Sequence, residues 1–153
     1  MEDFFDWYDA RNDGLMFRVL EGDLSGVKRL IVRGESVNSQ CFDGEGDTLL
    51  IAAINNDDVR MVKLLLENGA EVDAKNDRGM TALFTAVFEY RFEPMADLLE
   101  LVKLLLDFGA NCEIECGPDG ESARSIAQSR NMDSVMELFD RPIGSTVKAA
   151  SHK

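Results

Sequence analysis

Apolar residues recur along the chain in short runs with helical spacing, and glycine and polar residues close each run. Residues 61–87, MVKLLLENGAEVDAKNDRGMTALFTAV, show the pattern most clearly. They contain an apolar run, a Gly-Ala stop, a turn rich in Asp, Asn and Gly, and a second apolar run that Thr81 opens. This pattern predicts a helix, a hairpin turn and a following helix.

The same pattern returns at a regular interval. Thr48 opens the preceding apolar run and lies 33 residues before Thr81. The stop at Gly69 returns at Gly109, 40 residues later, so seven extra residues lie between Phe88 and Leu99. Because seven residues are close to two helical turns, we expect a longer second helix that keeps one face inward. The stripe predicted for that face is Phe92, Met95, Leu99, Val102 and Leu106, with Pro94 in the first turn.

Local chemistry predicts where several helices begin and end. The Thr48 hydroxyl is the expected N-cap of one helix, and Asp57 or Asp58 that of the next. Gly34 and Gly69 are expected just past helix ends, where a positive φ is needed and glycine adopts it without steric cost.

The motif Thr-x-Leu, then Ala, then Leu-Leu-Leu-x-x-Gly-Ala, present twice in phase, closely resembles the ankyrin repeat. The resemblance implies an all-α solenoid of helix-turn-helix units joined by β-hairpin loops, in a single domain over residues 1–140. Its expected parts are an N-terminal capping helix at 1–14, repeats at about 15–42, 43–75, 76–115 and 116–140, and a flexible tail at 141–153.

The chain departs from the family pattern at one recurring segment. The family's Thr-Pro-Leu-His becomes Thr-Leu-Leu-Ile at 48–51, Thr-Ala-Leu-Phe at 81–84 and Ser-Ala-Arg-Ser at 122–125. All three segments lack the histidine that usually joins neighbouring turns by hydrogen bonds. We expect packing by Ile51 and Phe84 to replace those polar links.

The first 13 residues carry four aromatic side chains among five carboxylates: Phe4, Phe5, Trp7 and Tyr8. Phe4 and Tyr8 lie four apart and share one side of a helix. The first interpretation is a helix that covers the apolar flank of the first repeat. The second is that the aromatic residues contact a partner.

Charge narrows the classes of partner. Twenty-nine acidic residues against sixteen basic ones give a net charge of −13, which disfavours DNA, RNA and anionic membrane surfaces. The beginning of the chain lacks a secretory pattern and no apolar run approaches a membrane span, so we expect a cytoplasmic protein. Three cysteines, an odd number, predict reduced thiols rather than a disulfide framework.

Candidate catalytic chemistry is sparse. His152 is the only histidine and lies in the predicted tail, so a Ser-His-Asp arrangement is not expected. Cys41, Cys112 and Cys116 are too few for a zinc site. Gly44 and Gly46 precede a helix but stand among acidic residues that repel phosphate. The sequence therefore predicts no enzyme activity, no cofactor and no metal.

The resemblance implies that partners contact the hairpin tips and inner helices. Residues 39–47 and 111–121 carry net charges of −3 and −4, while residues 73–80 are neutral. Phe42, Met80 and Phe88 are expected to be exposed among these charges and to supply an apolar centre. The predicted partner-binding residues are Phe42, Asp43, Glu45, Asp47, Asn55, Asn56, Asp77, Arg78, Met80, Phe88, Glu89, Glu115, Asp119 and Glu121.

Two functional hypotheses follow. The first is an acidic cytoplasmic binding protein, monomeric when free, that sequesters or inhibits a basic protein, as an immunity protein or antitoxin does. The second is a scaffold or adaptor that recruits a peptide or protein through the inner groove or the insertion at 89–98.

Overall fold

Short helices separated by tight turns make up most of the described chain. The computed structural model describes residues 14–39, 46–89 and 95–142. Within these ranges no strand is present, and an isolated antiparallel bridge joins Cys116 to Glu121. The all-α prediction is confirmed. The helices are α1 (Leu15–Leu20), α2 (Leu24–Val32), α3 (Leu49–Asn55), α4 (Val59–Glu67), α5 (Ala82–Glu89), α6 (Met95–Asp107), α7 (Ala123–Ser129) and α8 (Asp133–Phe139).

The helices pack in pairs within two compact units, Met1–Glu71 and Val72–Lys153. In the first unit α1 packs on α2 and on α3, and α3 packs on α4. In the second unit α5 contacts α7, α6 contacts α8, and each pair closes on itself through α5 with α6 and α7 with α8. The expected single domain over 1–140 and its repeat boundaries stay predictions.

Hydroxyl side chains begin the first helix of three repeats. The Oγ atoms of Thr48, Thr81 and Ser122 each accept the backbone N–H three residues later, at 3.1, 3.2 and 3.1 Å. Each bond satisfies one of the N–H groups that lack a partner at a helix start. The cap predicted at Thr48 is confirmed, and the serine at position 122 performs the same task as the threonines.

The turn between paired helices uses a left-handed residue. Gly22, Asp57 and Asn131 occupy this place with φ of 70°, 56° and 55°. Because the backbone of Asp57 is left-handed, Asp58 caps α4 instead, its carboxylate accepting the N–H of Met61 at 3.0 Å. A second left-handed position follows α2, α4 and α6 at Gly34, Gly69 and Gly109, with φ of 99°, 92° and 91°.

The predicted inward stripe of α6 is correct at Val102 and wrong at Met95, Leu99 and Leu106. The fully buried side chains are Leu98, Leu101, Val102 and Leu105. Met95, Leu99 and Leu106 are only partly buried. These three leucines and one valine have the i, i+3, i+4, i+7 spacing of a single helical face. The helix therefore turns this face, rather than the predicted one, toward the core.

Several predictions lie outside the described residues. They are the N-terminal capping helix, the placement of Phe92 and Pro94 in the insertion, and the tail beyond Pro142. The described part of the tail prediction, Arg141 and Pro142, is exposed.

Candidate functional site

The predicted partner-binding residues fall into three groups. Phe42, Asp43 and Glu45 lie outside the described residues. The first unit contains Asp47, Asn55 and Asn56. The second unit contains Asp77, Arg78, Met80, Phe88, Glu89, Glu115, Asp119 and Glu121.

The residues of the first unit are polar but already engaged. Asp47 is only 6% exposed, and Asn55 Nδ2 donates to its carboxylate at 3.2 Å. Asn56 is exposed and its Nδ2 donates to the carbonyl of Leu20 at 2.7 Å. Asp47 therefore offers little charged surface. Asn55 binds a side chain of its own unit, and Asn56 binds a backbone carbonyl of the same unit.

The turn at 76–80 is closed by Asn76, which is buried. Its Oδ1 accepts the N–H groups of Arg78 and Met80 at 3.1 and 3.0 Å. Its backbone N–H donates to the carbonyl of Met80 at 3.0 Å. These bonds hold Met80 against the core at 6% exposure, so the expected exposure of Met80 is wrong. Asp77 and Arg78 remain exposed at the tip.

The second turn of this unit presents three carboxylates. Glu115, Asp119 and Glu121, here called the acidic turn, are all exposed. The backbone between them is held by the bond from the N–H of Cys116 to the carbonyl of Glu121, at 2.7 Å. Within the described ranges no lysine or arginine side chain pairs with these three carboxylates. The acidic turn therefore keeps its charge available to a partner.

Two glycines give the acidic turn its shape. Gly117 and Gly120 have φ of 68° and 64°, a conformation that most residues other than glycine, asparagine and aspartate adopt only with strain. A Cβ atom on Gly120 would lie 3.9 Å from Oε2 of Glu115, so the Glu115 carboxylate lies beside the backbone of the loop.

The two turns of the second unit lie side by side. The N–H of Gly117 donates to the carbonyl of Gly79 at 3.4 Å. The ammonium of Lys75 donates to the backbone carbonyl of Glu115 at 2.8 Å, which places one positive charge at the edge of the acidic turn. The turns therefore support each other, and their tips form one surface of mixed charge in which acids predominate.

A stacked column marks the opposite ends of the inner helices. The rings of Phe84 and Phe88 stack with centroids 5.4 Å apart and planes at 13°. The guanidinium of Arg130 lies 5.3 Å from the Phe88 centroid. Phe84 is buried and Phe88 is 36% exposed, so the column runs from the core to the surface. The predicted exposure of Phe88 is confirmed.

The repeat pattern places Arg130, like Phe88, on the face that partners are expected to contact, but Arg130 is absent from the predicted partner-binding residues. It lies 42 residues from Phe88, and no local pattern joins two positions that far apart. The signal in the sequence is the repeat itself, which places Arg130 directly after an inner helix, as it places Asn56.

A separate cluster closes the end of the second unit. Arg124 bonds to the carboxylates of Glu113 and Asp140, the latter at 2.7 Å, and its guanidinium lies 5.7 Å from the Phe139 ring centroid. The hydrogen bond to Asp140 raises the pKa of Arg124, so this cation is permanent. Glu113 is thereby paired, which removes it from the exposed charge of the neighbouring turn.

The cluster also surrounds a thiol. Burial raises the pKa of Cys112 above its ordinary value, although Arg124 acts in the opposite direction. The thiol is therefore protonated at neutral pH and is not an activated nucleophile. Across the part of the chain that the structure describes, no group of three or more His, Cys, Asp or Glu side chains is arranged to hold a metal ion.

The longest helix of the described residues has 13 residues. Within residues 14–39, 46–89 and 95–142, no helix has the length and apolar character that a membrane crossing requires.

Comparison with known proteins identifies the repeat. A family model described as ankyrin repeats, in three copies, matches residues 15–115. A putative ankyrin repeat protein of Rickettsia bellii is 39% identical over 70 residues, which cover 45% of this chain and 26% of that protein. The ankyrin repeat, SAM and basic leucine zipper domain-containing protein 1 of Notamacropus eugenii is 32% identical over 108 residues, covering 71% of this chain and 22% of that protein.

Solved structures show the same fold. The ankyrin repeat domain of Bcl-3 matches with a TM-score of 0.70 and 28% identity, over 83% of this chain and 50% of that one. An ankyrin repeat domain from Acinetobacter baumannii matches with a TM-score of 0.72 and 25% identity, over 82% of this chain and 61% of that one. The chain spans about a quarter of the length of the two curated relatives above.

Proposed function

Because the chain belongs to the ankyrin repeat family, whose repeats are protein–protein interaction modules and typically not catalytic, we propose that it is an acidic binding protein for a basic protein partner. Occupying the partner's basic surface would sequester or inhibit that partner, in the manner of an immunity protein or antitoxin. The proposal takes the cytoplasm as the place of action and a monomer as the free state.

The observation that carries this proposal is the acidic turn. Glu115, Asp119 and Glu121 are exposed, and no basic side chain of the described residues pairs with their carboxylates. The turn beneath them is fixed by its own backbone bond and by contact with the turn at 76–80. Charges on a rigid support lose less conformational entropy on binding than charges on a flexible loop, so more of their attraction contributes to affinity.

The magnitude of exposed ion pairs limits what the acidic turn can do by itself. Each such pair contributes about 0.2–1 kcal/mol, so three pairs contribute at most ~3 kcal/mol. Micromolar affinity requires about 8 kcal/mol, and the remainder must come from buried apolar contacts. Phe88, at 36% exposure, is an aromatic side chain of an inner helix in the second unit that can supply such a contact.

Long-range charge supports the same class of partner. A net charge of −13 attracts a basic protein before contact and repels anionic polymers. Such steering accelerates association and weakens as salt screens it. A basic nuclease fits this description, because an acidic surface can replace the phosphates that the nuclease normally binds.

The test compares two triple variants with the same change in net charge. One carries Glu115→Lys, Asp119→Lys and Glu121→Lys. The matched control reverses three other exposed carboxylates, Glu71, Glu100 and Glu137. The partner is captured from native cells with the unaltered protein, identified and purified for titration calorimetry.

We expect the acidic-turn variant to bind the captured partner about tenfold or more weakly at low salt, while the control loses much less affinity. The salt dependence of binding should also decrease only for the acidic-turn variant. Equal losses for both variants, or a partner whose contact surface is not basic, would refute the proposal. Binding that depends only on residues 89–98 would instead favour the adaptor hypothesis.

A further inference from the structure

Arg130 is fixed by contacts that use only part of its guanidinium. Nη1 donates to the carbonyls of Val87 and Phe88 at 3.2 and 2.7 Å. These carbonyls belong to the last turn of α5, where carbonyl groups lack helical partners. The guanidinium also lies against the ring of Phe88, which itself stacks on the buried Phe84. The orientation of Arg130 is therefore set by three contacts at once.

The remaining hydrogen-bond donors of Arg130 stay open. Nε and Nη2 contact no acceptor among the described residues, and the side chain is exposed. The edge formed by Nε and Nη2 is one of the two edges of a guanidinium that bind a carboxylate through two parallel hydrogen bonds. The Nε and Nη2 edge of Arg130 is thus available and already oriented to bind a carboxylate.

A second residue of the same chain shows that joining the ends of two neighbouring inner helices does not require an arginine. Asn56 follows α3 as Arg130 follows α7, and its Nδ2 donates to the carbonyl of Leu20, at the end of α1, at 2.7 Å. A neutral amide therefore suffices to join the ends of neighbouring inner helices. Arg130 makes the same connection and adds a positive charge and two free donor nitrogens, Nε and Nη2.

We propose that Arg130 and Phe88 form a binding site for an aspartate or glutamate side chain of a partner protein. The partner's carboxylate accepts hydrogen bonds from Nε and Nη2 of Arg130. Its methylene groups pack beside the exposed part of the Phe88 ring. Arginine on an aromatic ring suits this task because it is weakly hydrated and loses little further freedom on binding.

A carboxylate fits the site better than a phosphate. The chain carries a net charge of −13, so a phosphate with nearly two negative charges meets more repulsion than a single carboxylate does.

The site is separate from the acidic turn, and the inference holds without the function proposed above. If that function is also correct, the two sites define the partner's charge pattern. Glu121 precedes α7 and Arg130 follows it, and the seven residues of α7 span about 10 Å. The partner would then carry a basic patch and an acidic side chain about one short helix apart.

The experiment follows the Nε–Hε resonances of the arginines by NMR during titration with N-acetyl-aspartate N-methylamide. The neutral asparagine analogue and inorganic phosphate are titrated separately. Arg60 is the internal control, because it is exposed and no described residue pairs with it. An Arg130→Gln variant identifies the resonance and retains an N–H donor for the carbonyl of Phe88.

We expect Arg130 to bind the aspartate derivative with a dissociation constant about fivefold below that of Arg60, equivalent to ~1 kcal/mol. The asparagine analogue should shift neither resonance, and Arg130→Gln should leave the thermal unfolding midpoint nearly unchanged. Equal dissociation constants for Arg130 and Arg60, or tighter binding of phosphate than of the aspartate derivative, would overturn the inference. Because this assay contains no protein partner, its failure is distinguishable from failure of the acidic-turn experiment.

Discussion

The side chain of Asn38 is joined to Glu71 across one repeat: its Oδ1 accepts the backbone N–H of Glu71 at 2.8 Å. Its Nδ2 also donates to the carbonyl of Gly69, at 3.2 Å. The second unit contains the same connection, in which the carboxylate of Asp73 accepts the N–H of Asn111 at 3.1 Å. Each acceptor binds the residue two places after the glycine that closes the next outer helix. These bonds join neighbouring loops in a chain that lacks the family's histidine.

Removing one of these connections should lower stability by a small and measurable amount. Asp73→Ala is expected to decrease the free energy of unfolding by about 1 kcal/mol, the usual net contribution of one intramolecular hydrogen bond. Asp73→Asn keeps an acceptor oxygen in the same place and should lose less than half of that. Urea denaturation followed by circular dichroism gives both values. An alanine variant as stable as the asparagine variant would show that the bond to Asn111 contributes nothing.

The left-handed turn at Asn131 provides a second stability test. A β-branched residue cannot adopt φ of 55° without strain, so Asn131→Val should reduce the free energy of unfolding by about 1–2 kcal/mol. Asn131→Gly adopts this backbone freely and should change it by less than about 0.5 kcal/mol. Thermal and urea unfolding of the two variants measure the difference. Similar values for valine and glycine would contradict the left-handed assignment.

The thiol of Cys112 should respond to pH in a defined direction. Burial disfavours the thiolate, so the pKa lies above the ordinary 9.0 and alkylation at pH 8 should be slower than that of a free thiol. The preference of the folded state for the protonated thiol contributes stability below the unfolded pKa, and this contribution is lost as pH rises through the folded pKa. Peptide-resolved mass spectrometry after timed iodoacetamide labelling follows the titration.

Two variants separate the charges around this thiol. Arg124→Gln removes a cation and a hydrogen bond that favour the thiolate, so the pKa of Cys112 should rise further. Glu113→Gln removes a neighbouring negative charge and should lower it. Shifts of the same sign in both variants would show that the electrostatic explanation is wrong.

Much of the fold is readable in the sequence because local chemistry determines helix ends. The hydroxyl of Thr48 and the glycine at 69 act at their own positions and need no distant neighbour. The choice between Asp57 and Asp58 as the cap of α4 depends on the sign of one φ angle. Either carboxylate could cap a helix, so residue type alone leaves that choice open.

Features that depend on packing were harder to predict. The apolar residues of α6 lie on several of its sides, so the sequence is compatible with more than one buried face. Packing against neighbouring helices determines that Leu98, Leu101 and Leu105 are buried. Met80 stands in a polar turn, so the sequence predicts that its side chain is exposed. The hydrogen bonds of Asn76 hold the Met80 backbone in a position where its side chain is buried.

In the candidate site, too, features set by local chemistry are predictable and features set by packing between repeats are not. The exposure of Glu115, Asp119 and Glu121 agrees with the prediction from the sequence, because charged residues in a glycine-rich turn are rarely buried. Their role in binding a partner stays a prediction. The contact between Phe88 and Arg130 joins residues from different repeats, and periodicity does not predict which side chains meet across such a distance.

The connections made by Asn38 and Asp73 also bear on how such a chain can grow. Both residues stand in the loop that follows an outer helix, and each binds a backbone group of the loop that follows the next one. A duplicated segment of the gene spanning one such interval would encode a new acceptor together with the N–H that the preceding acceptor needs. Tandem copying could therefore lengthen this protein without leaving either end of the added piece unattached.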